Sequence, residues 1–91
     1  MYRIIGDRGS GKTKKLMLAA KETGSTVVCK NPYAMAEKAH AYGITGLNII
    51  GYQSFLIEPI ENEKIMIDEL EDFLNILNTG KITGYTLTNE D

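Results

Sequence analysis

Near its start the chain carries the octapeptide Gly6-Asp7-Arg8-Gly9-Ser10-Gly11-Lys12-Thr13. It has the spacing G-x-x-x-x-G-K-S/T, in which glycines let the backbone wrap closely around a phosphate group and adopt angles that other residues avoid. Inward-facing amides and the positive end of the following helix then hold the anion. In such a loop Lys12 reaches the terminal phosphates, and the hydroxyl of Thr13 ligates Mg²⁺. The octapeptide therefore predicts a phosphate-binding loop.

Strand-like and helix-like patterns alternate on both sides of this loop. The patterns predict strands at 2–5, 26–29, 47–50, 65–67 and 82–88. They predict helices at about 12–23 and 70–77, a helix that begins at Asn31-Pro32 and stops at Gly43, and a short helical turn at 53–57. We therefore expect an α/β chain: one three-layer domain over residues 1–91, with a mainly parallel sheet of about five strands and helices on both faces.

Composition and charge exclude several classes of protein. Apolar residues make up 43% of the chain and charged residues 24%, which is typical of a folded domain rather than a disordered one. No apolar run approaches the roughly 20 residues that cross a bilayer, so we expect no membrane partner. The lone Cys29 predicts a reducing, cytoplasmic location. A net charge of −2 argues against a basic nucleic-acid binder, and nothing else in the sequence supports nucleic acid as a partner.

A second motif begins at residue 65. The apolar segment Ile65-Met66-Ile67 is followed by Asp68 and Glu69. An aspartate at the carboxyl end of a buried strand can hold the coordination shell of Mg²⁺. The next residue can accept a proton from the water that attacks a γ-phosphate. We therefore expect Asp68 to be associated with the metal and Glu69 to be a catalytic base, with capping of the next helix as the alternative role of Glu69.

Together the two motifs resemble the Walker A and Walker B motifs of P-loop NTPases. The Asp-Glu pair is similar to the division with an additional strand and a catalytic glutamate, which includes RecA-like ATPases, AAA proteins, helicases and terminases. The compact chain looks like a minimal phage-type member. The resemblance implies ATP as ligand, Mg²⁺ as cofactor, Lys12 and Glu69 as catalytic residues, and Thr13 and Asp68 at the metal. It implies contact between the nucleotide and all eight loop residues, Gly6, Asp7, Arg8, Gly9, Ser10, Gly11, Lys12 and Thr13, although Arg8 would equally suit a solvent-facing position.

The resemblance also implies a role for the C-terminal segment. The strand at 82–88 would lie between the strands of the two motifs, and Thr88 or Asn89 at its polar end would be a sensor of the γ-phosphate. The strand at 2–5 would then form a sheet edge, and open edges invite pairing with another chain. We therefore expect a homo-oligomer or a larger protein partner. Because the chain has only two arginines to act as an arginine finger, we expect slow intrinsic hydrolysis.

Three functions stay open at this point. The first is a Mg²⁺-dependent ATPase with slow turnover. The second is a nucleotide-dependent adaptor or regulatory module without significant turnover. The third is a nucleoside kinase similar to thymidine kinases, which Gly84-Tyr85-Thr86-Leu87-Thr88 resembles, although the cysteine zinc site usual in that family is missing. The guanine signature N-K-x-D is also missing, which disfavours a GTPase.

Overall fold

The computed structural model describes residues 3–7, 9–58, 63–77, 80–86 and 88 of the chain. In these ranges helices and strands alternate: α1 (Lys12–Thr23), β1 (Thr26–Cys29), α2 (Pro32–Ala41), β2 (Ile49–Gly51), α3 (Tyr52–Ile57), β3 (Ile65–Ile67) and α4 (Leu70–Leu77). No helix in the described part of the chain has the length and apolar character needed to cross a membrane.

The ends of the first two helices follow directly from their sequences. α1 is preceded by Gly11 and followed by Gly24, both in the left-handed region at φ 80° and 69°, where glycine pays no steric cost. Before α2, the side chain of Asn31 accepts a hydrogen bond from the backbone N–H of Ala34 at 3.1 Å, and Pro32 occupies the first turn. These signals confirm the predicted bounds of α1 and the predicted start of α2.

The three strands form one parallel sheet in the order β2-β1-β3. Val28 in the central strand is paired with Ile50 of β2 on one side and with Ile67 of β3 on the other. The expectation of a P-loop NTPase-type domain with a sheet of about five strands is therefore wrong: the described residues contain three strands, a much smaller sheet.

The two strands expected nearest the chain ends account for the difference. Residues 3–5 and 82–86 have no regular secondary structure, while Tyr2 and Leu87 lie outside the described residues. Ile5 is 86% exposed, so it contributes little burial to hold a strand in place. The Arg3 guanidinium donates a hydrogen bond to the carbonyl oxygen of Thr88. This contact joins the two segments through a side chain rather than through a backbone ladder.

Side chains of β1 alternate between two apolar clusters on opposite faces of the sheet. The large cluster lies under α1 and α2, and its buried members are Leu16, Met17, Ala20, Val27, Cys29, Met35, Ala39 and Ile44. The small cluster lies under α3 and α4, and its buried members are Val28, Tyr52 and Phe73. In the small cluster the Tyr52 and Phe73 rings meet edge to face, with centroids 5.2 Å apart.

Cys29 lies in the central strand and is almost fully buried, with 1% exposure. Its thiol donates a weak hydrogen bond to the carbonyl oxygen of Ile50, with the two atoms 3.7 Å apart. Burial, and then the negative charge of Asp68, raise the pKa of this thiol to about 11. The cysteine is therefore a neutral core residue at physiological pH.

Candidate nucleotide-binding site

The loop before α1 needs glycine at three positions for different reasons. Gly9 and Gly11 have φ angles of 83° and 80°, in the left-handed region that side chains disfavour. A Cβ at Gly6 would overlap the hydroxyl of Ser10. The Ser10 N–H in turn donates to the Asp7 carbonyl oxygen at 3.0 Å, which closes the turn. The positive φ angles therefore favour glycine at positions 9 and 11, and a side chain at position 6 would require Ser10 to move.

Lys12 opens α1 and turns back toward the start of the loop. Its Nζ donates to the carbonyl oxygen of Gly6 at 3.2 Å and lies 3.3 Å from Oε1 of Glu69. The two side chains of this ion pair are 30% and 45% exposed, so the attraction between them is screened by water and contributes little to stability. The two sequence motifs thus meet at Lys12 and Glu69.

A second contact joins the same two motifs. The hydroxyl of Thr13 donates to Oδ1 of Asp68, with the oxygens 3.5 Å apart. The N–H of Asp68 donates to the carbonyl oxygen of Val28 at 2.9 Å, which fixes the residue as the continuation of β3. Two residues of the loop motif therefore contact the two acids of the second motif.

The Asp68 carboxyl lies in an unfavourable environment for a negative charge. Burial raises its pKa, and the charge of Glu69 raises it further, while Lys38, the Thr13 hydroxyl and Lys12 act in the opposite direction. Lys38 belongs to α2 and was not among the residues singled out from the sequence. Only the folded arrangement brings its charge toward Asp68.

The residues here suit Mg²⁺ by their chemistry. Hydroxyl and carboxylate oxygens are the hard ligands that this ion prefers, and it usually combines one or two of them with phosphate oxygens and water. A divalent cation beside Asp68 would relieve the repulsion between Asp68 and Glu69. No group of three or more histidine, cysteine or acidic residues suited to a metal occurs among the described residues. The oxygens that the fold brings together for such an ion are the Thr13 hydroxyl and the Asp68 carboxylate.

Glu69 has an unusual backbone conformation. Its φ angle is 57°, and it is the one non-glycine residue with positive φ in the described part of the chain. Its carbonyl oxygen accepts the N–H of Phe73 at 3.2 Å, which begins α4. The hydroxyl of Tyr52 donates to the carbonyl oxygens of both Asp68 and Glu69, the latter at 3.1 Å. The sequence analysis gave Tyr52 no role, because nothing in its local pattern reveals this contact across the sheet.

The remaining predicted site residues are less informative. Asp7, Gly9, Ser10 and Gly11 are exposed members of the loop. Thr88 is exposed, and the carbonyl oxygen at its backbone accepts the hydrogen bond from Arg3. The predictions for Arg8 and Asn89 lie outside the described residues.

Comparisons with protein-family models, with curated proteins and with solved structures found no match to this chain. The interpretation of the site therefore depends on its own geometry and on the two motifs. That geometry consists of a glycine-containing loop at the start of α1, the Lys12 ammonium and the Thr13 hydroxyl that follow it, and the two carboxylates of the second motif. Glu69 contacts Lys12, and Asp68 contacts Thr13.

Proposed function

We propose that the chain binds the Mg²⁺ complex of ATP, or of another nucleoside triphosphate, in the loop 6–13 and hydrolyses it slowly. The observation that carries the proposal is the pair of contacts between the motifs, Lys12 with Glu69 and Thr13 with Asp68. These residues are 57 and 55 positions apart in the chain, and they belong to the two motifs that phosphoryl-transfer sites combine.

Phosphate binding would use groups that are already in place. The loop enters α1 at its N-terminus, where free amides and the helix dipole favour an anion. Lys12 now contacts a carbonyl oxygen and a carboxylate, and both contacts are accessible to water. A triphosphate offers the same ammonium group a higher charge, so we expect Lys12 to exchange these contacts for phosphate oxygens.

Hydrolysis would divide the remaining work among three side chains. Thr13 and Asp68 would hold Mg²⁺, which supplies charge neutralisation on the phosphate oxygens when it is bound. Glu69, adjacent to Asp68 and partly exposed, would orient a water and accept its proton. The chain has only two arginines, and the guanidinium of Arg3 is engaged with the Thr88 backbone, so we expect turnover to be slow unless a partner protein supplies a further arginine.

A second function is favoured by one feature of the same site. The ion pair holds Glu69, the proposed base, against Lys12, the residue proposed to bind the phosphates. If this pairing persists beside a bound nucleotide, the chain would act as a nucleotide-dependent adaptor or regulatory module without significant turnover. Tight ATP binding with negligible phosphate release would select this alternative. For either function we propose a second copy of this chain or a larger protein as the partner, and the cytoplasm as the compartment.

The test combines calorimetry and phosphate release on one sample. We expect ATP with Mg²⁺ to bind, and Lys12→Ala to weaken binding by roughly tenfold or more because a charge-assisted hydrogen bond is lost. Lys15→Ala is the matched control, since Lys15 is an exposed residue of the same helix. We expect Glu69→Gln to keep binding and to slow hydrolysis by roughly 10²-fold or more. Absence of ATP binding at millimolar concentration, or unchanged affinity of Lys12→Ala, would disprove the proposal.

A further inference from the structure

We propose that Tyr52 is a positioning residue that holds the backbone of Glu69 so that its carboxylate faces the phosphate loop. This inference rests on the proposed function of that site. Tyr52 begins α3, directly after β2, and has 2% exposure. Its hydroxyl bonds to the backbone of the second motif rather than to Lys12 or the loop, so its effect on the reaction would pass through Glu69.

The first argument is the hydrogen bond that Tyr52 makes. A phenol has one proton to donate, and here it lies between two carbonyl oxygens, those of Asp68 and Glu69. Both residues belong to the second motif. A single hydroxyl therefore tethers the two carbonyl groups that flank the Cα of Glu69.

The second argument is the backbone conformation of Glu69, the residue that the Tyr52 hydroxyl holds. A φ of 57° is disfavoured for a residue with a side chain and persists only where the surroundings impose it. The N–H of Phe73 fixes the Glu69 carbonyl from one side, and the Tyr52 hydroxyl reaches the same oxygen. The left-handed conformation of Glu69 sets the direction of its side chain, so these contacts help to orient the carboxylate toward the Nζ of Lys12, which is 3.3 Å from Oε1.

The third argument is reach. β2 and β3 lie on opposite sides of β1, so about 9–10 Å separates their axes. A tyrosine is long enough to cover much of this gap and still end in a donor, and its ring fills the space by packing against Phe73.

The test is Tyr52→Phe, which keeps the ring and removes only the donor. We expect the dissociation constant for ATP to stay within about twofold, because Lys12 and the loop are unchanged, and the rate of phosphate release to fall about tenfold. The matched control is Tyr85→Phe, which removes an exposed hydroxyl that donates to Glu71 at 3.4 Å and should alter neither quantity. In the Glu69→Gln background, Tyr52→Phe should cause no further loss of turnover.

Three outcomes would overturn the inference. They are an unchanged rate in Tyr52→Phe, an equal loss of affinity and rate, or a full additional loss in the Glu69→Gln background. A readout independent of nucleotide is the set of NMR shifts of Asp68, Glu69 and Lys12 in the free protein. We expect Tyr52→Phe to move them and Tyr85→Phe to leave them in place. If ATP does not bind, the proposed function fails, but these shifts still decide whether Tyr52 positions Glu69; shifts that stay in place would refute it.

Discussion

The two faces of the sheet support the two halves of the candidate site unequally. On one face α1 buries Leu16, Met17, Ala19 and Ala20. On the other face α4 buries only Phe73, although its sequence is the more clearly amphipathic, and Leu77 at its end is 55% exposed. The glycine-containing loop leads directly into α1, whereas Asp68 and Glu69 lead into α4.

Because of this difference, the large cluster should determine the stability of the fold, and the small cluster should determine the geometry of the two acids. Regions with few buried apolar contacts open locally at a lower free energy than the core. We therefore expect α1, and with it the backbone of Lys12 in its first turn, to keep its position whenever the protein is folded. The two acids, by contrast, depend on the small cluster and on the Tyr52 tether. Substitutions in the large cluster should lower the free energy of unfolding of the whole protein, and substitutions in the small cluster should first disturb Glu69.

The largest effect is expected for Met17→Ala in the large cluster. Met17 is fully buried at 0% exposure, so truncation leaves a cavity, and the free energy of unfolding should fall by about 2–5 kcal/mol. Urea unfolding followed by circular dichroism measures this. Leu18→Ala on the same helix, at 48% exposure, is the control and should change stability by about 0.5 kcal/mol or less. Equal losses in the two variants would contradict the packing described here.

A smaller effect on stability, with a larger one on turnover, is expected for Phe73→Leu. The substitution keeps an apolar side chain but removes the ring that Tyr52 packs against, so stability should fall by about 1–2 kcal/mol. Phosphate release should slow while ATP affinity stays close to that of the unaltered protein. Urea unfolding, calorimetry and a phosphate-release assay give the three values. A loss of affinity as large as the loss of rate would show that the two faces are not independent.

The smallest effect is a gain in stability for Asp68→Asn. Burial, and then Glu69, raise the pKa of the Asp68 carboxyl above its ordinary 3.8, so the folded state binds this proton more tightly than the unfolded state. Stability therefore falls as pH rises from below 3.8 through the raised value. Removing the charge should add about 1 kcal/mol at pH 7.

Urea midpoints at pH 7 and near pH 4 check the sign for Asp68→Asn. The gain should shrink at the acid pH, because protonation of the unaltered carboxyl removes the charge whose burial is costly. The variant should also lose the Mg²⁺ dependence of ATP binding. A lower stability at pH 7 than that of the unaltered protein would show that the Thr13 contact outweighs the burial cost.

Sequence patterns predicted the local features of the chain well. Gly24 and the Asn31-Pro32 pair mark helix ends through their own backbone chemistry, and β1 and β3 are found at the predicted residues. The patterns failed at 3–5 and 82–86, since a strand forms only where a partner pairs with it and β propensity depends on that context. Gly84 and the exposed Thr83 and Thr86 also leave the second segment little apolar surface to bury.

The candidate site was predictable only in part. The spacing of Gly6, Gly11, Lys12 and Thr13 is a local signal in the sequence. That these residues lie near Asp68 and Glu69 was expected because the two motifs resemble Walker A and Walker B, and hydrophobic periodicity alone did not predict it. The roles of Lys38 and Tyr52 were not predictable, because each acts across the sheet on a residue distant in sequence. Such contacts depend on which strands become neighbours, which a single sequence does not reveal.

The burial of Cys29 equips the protein with an internal reporter. It is the one cysteine in the sequence, it lies in the strand that both other strands pair with, and its thiol is neutral and shielded. A thiol reagent can reach it only when the sheet opens, so the rate of alkylation reports how often the region around β1 unfolds. A ligand that tightens the fold would slow that chemistry in proportion to its occupancy, without any label being introduced.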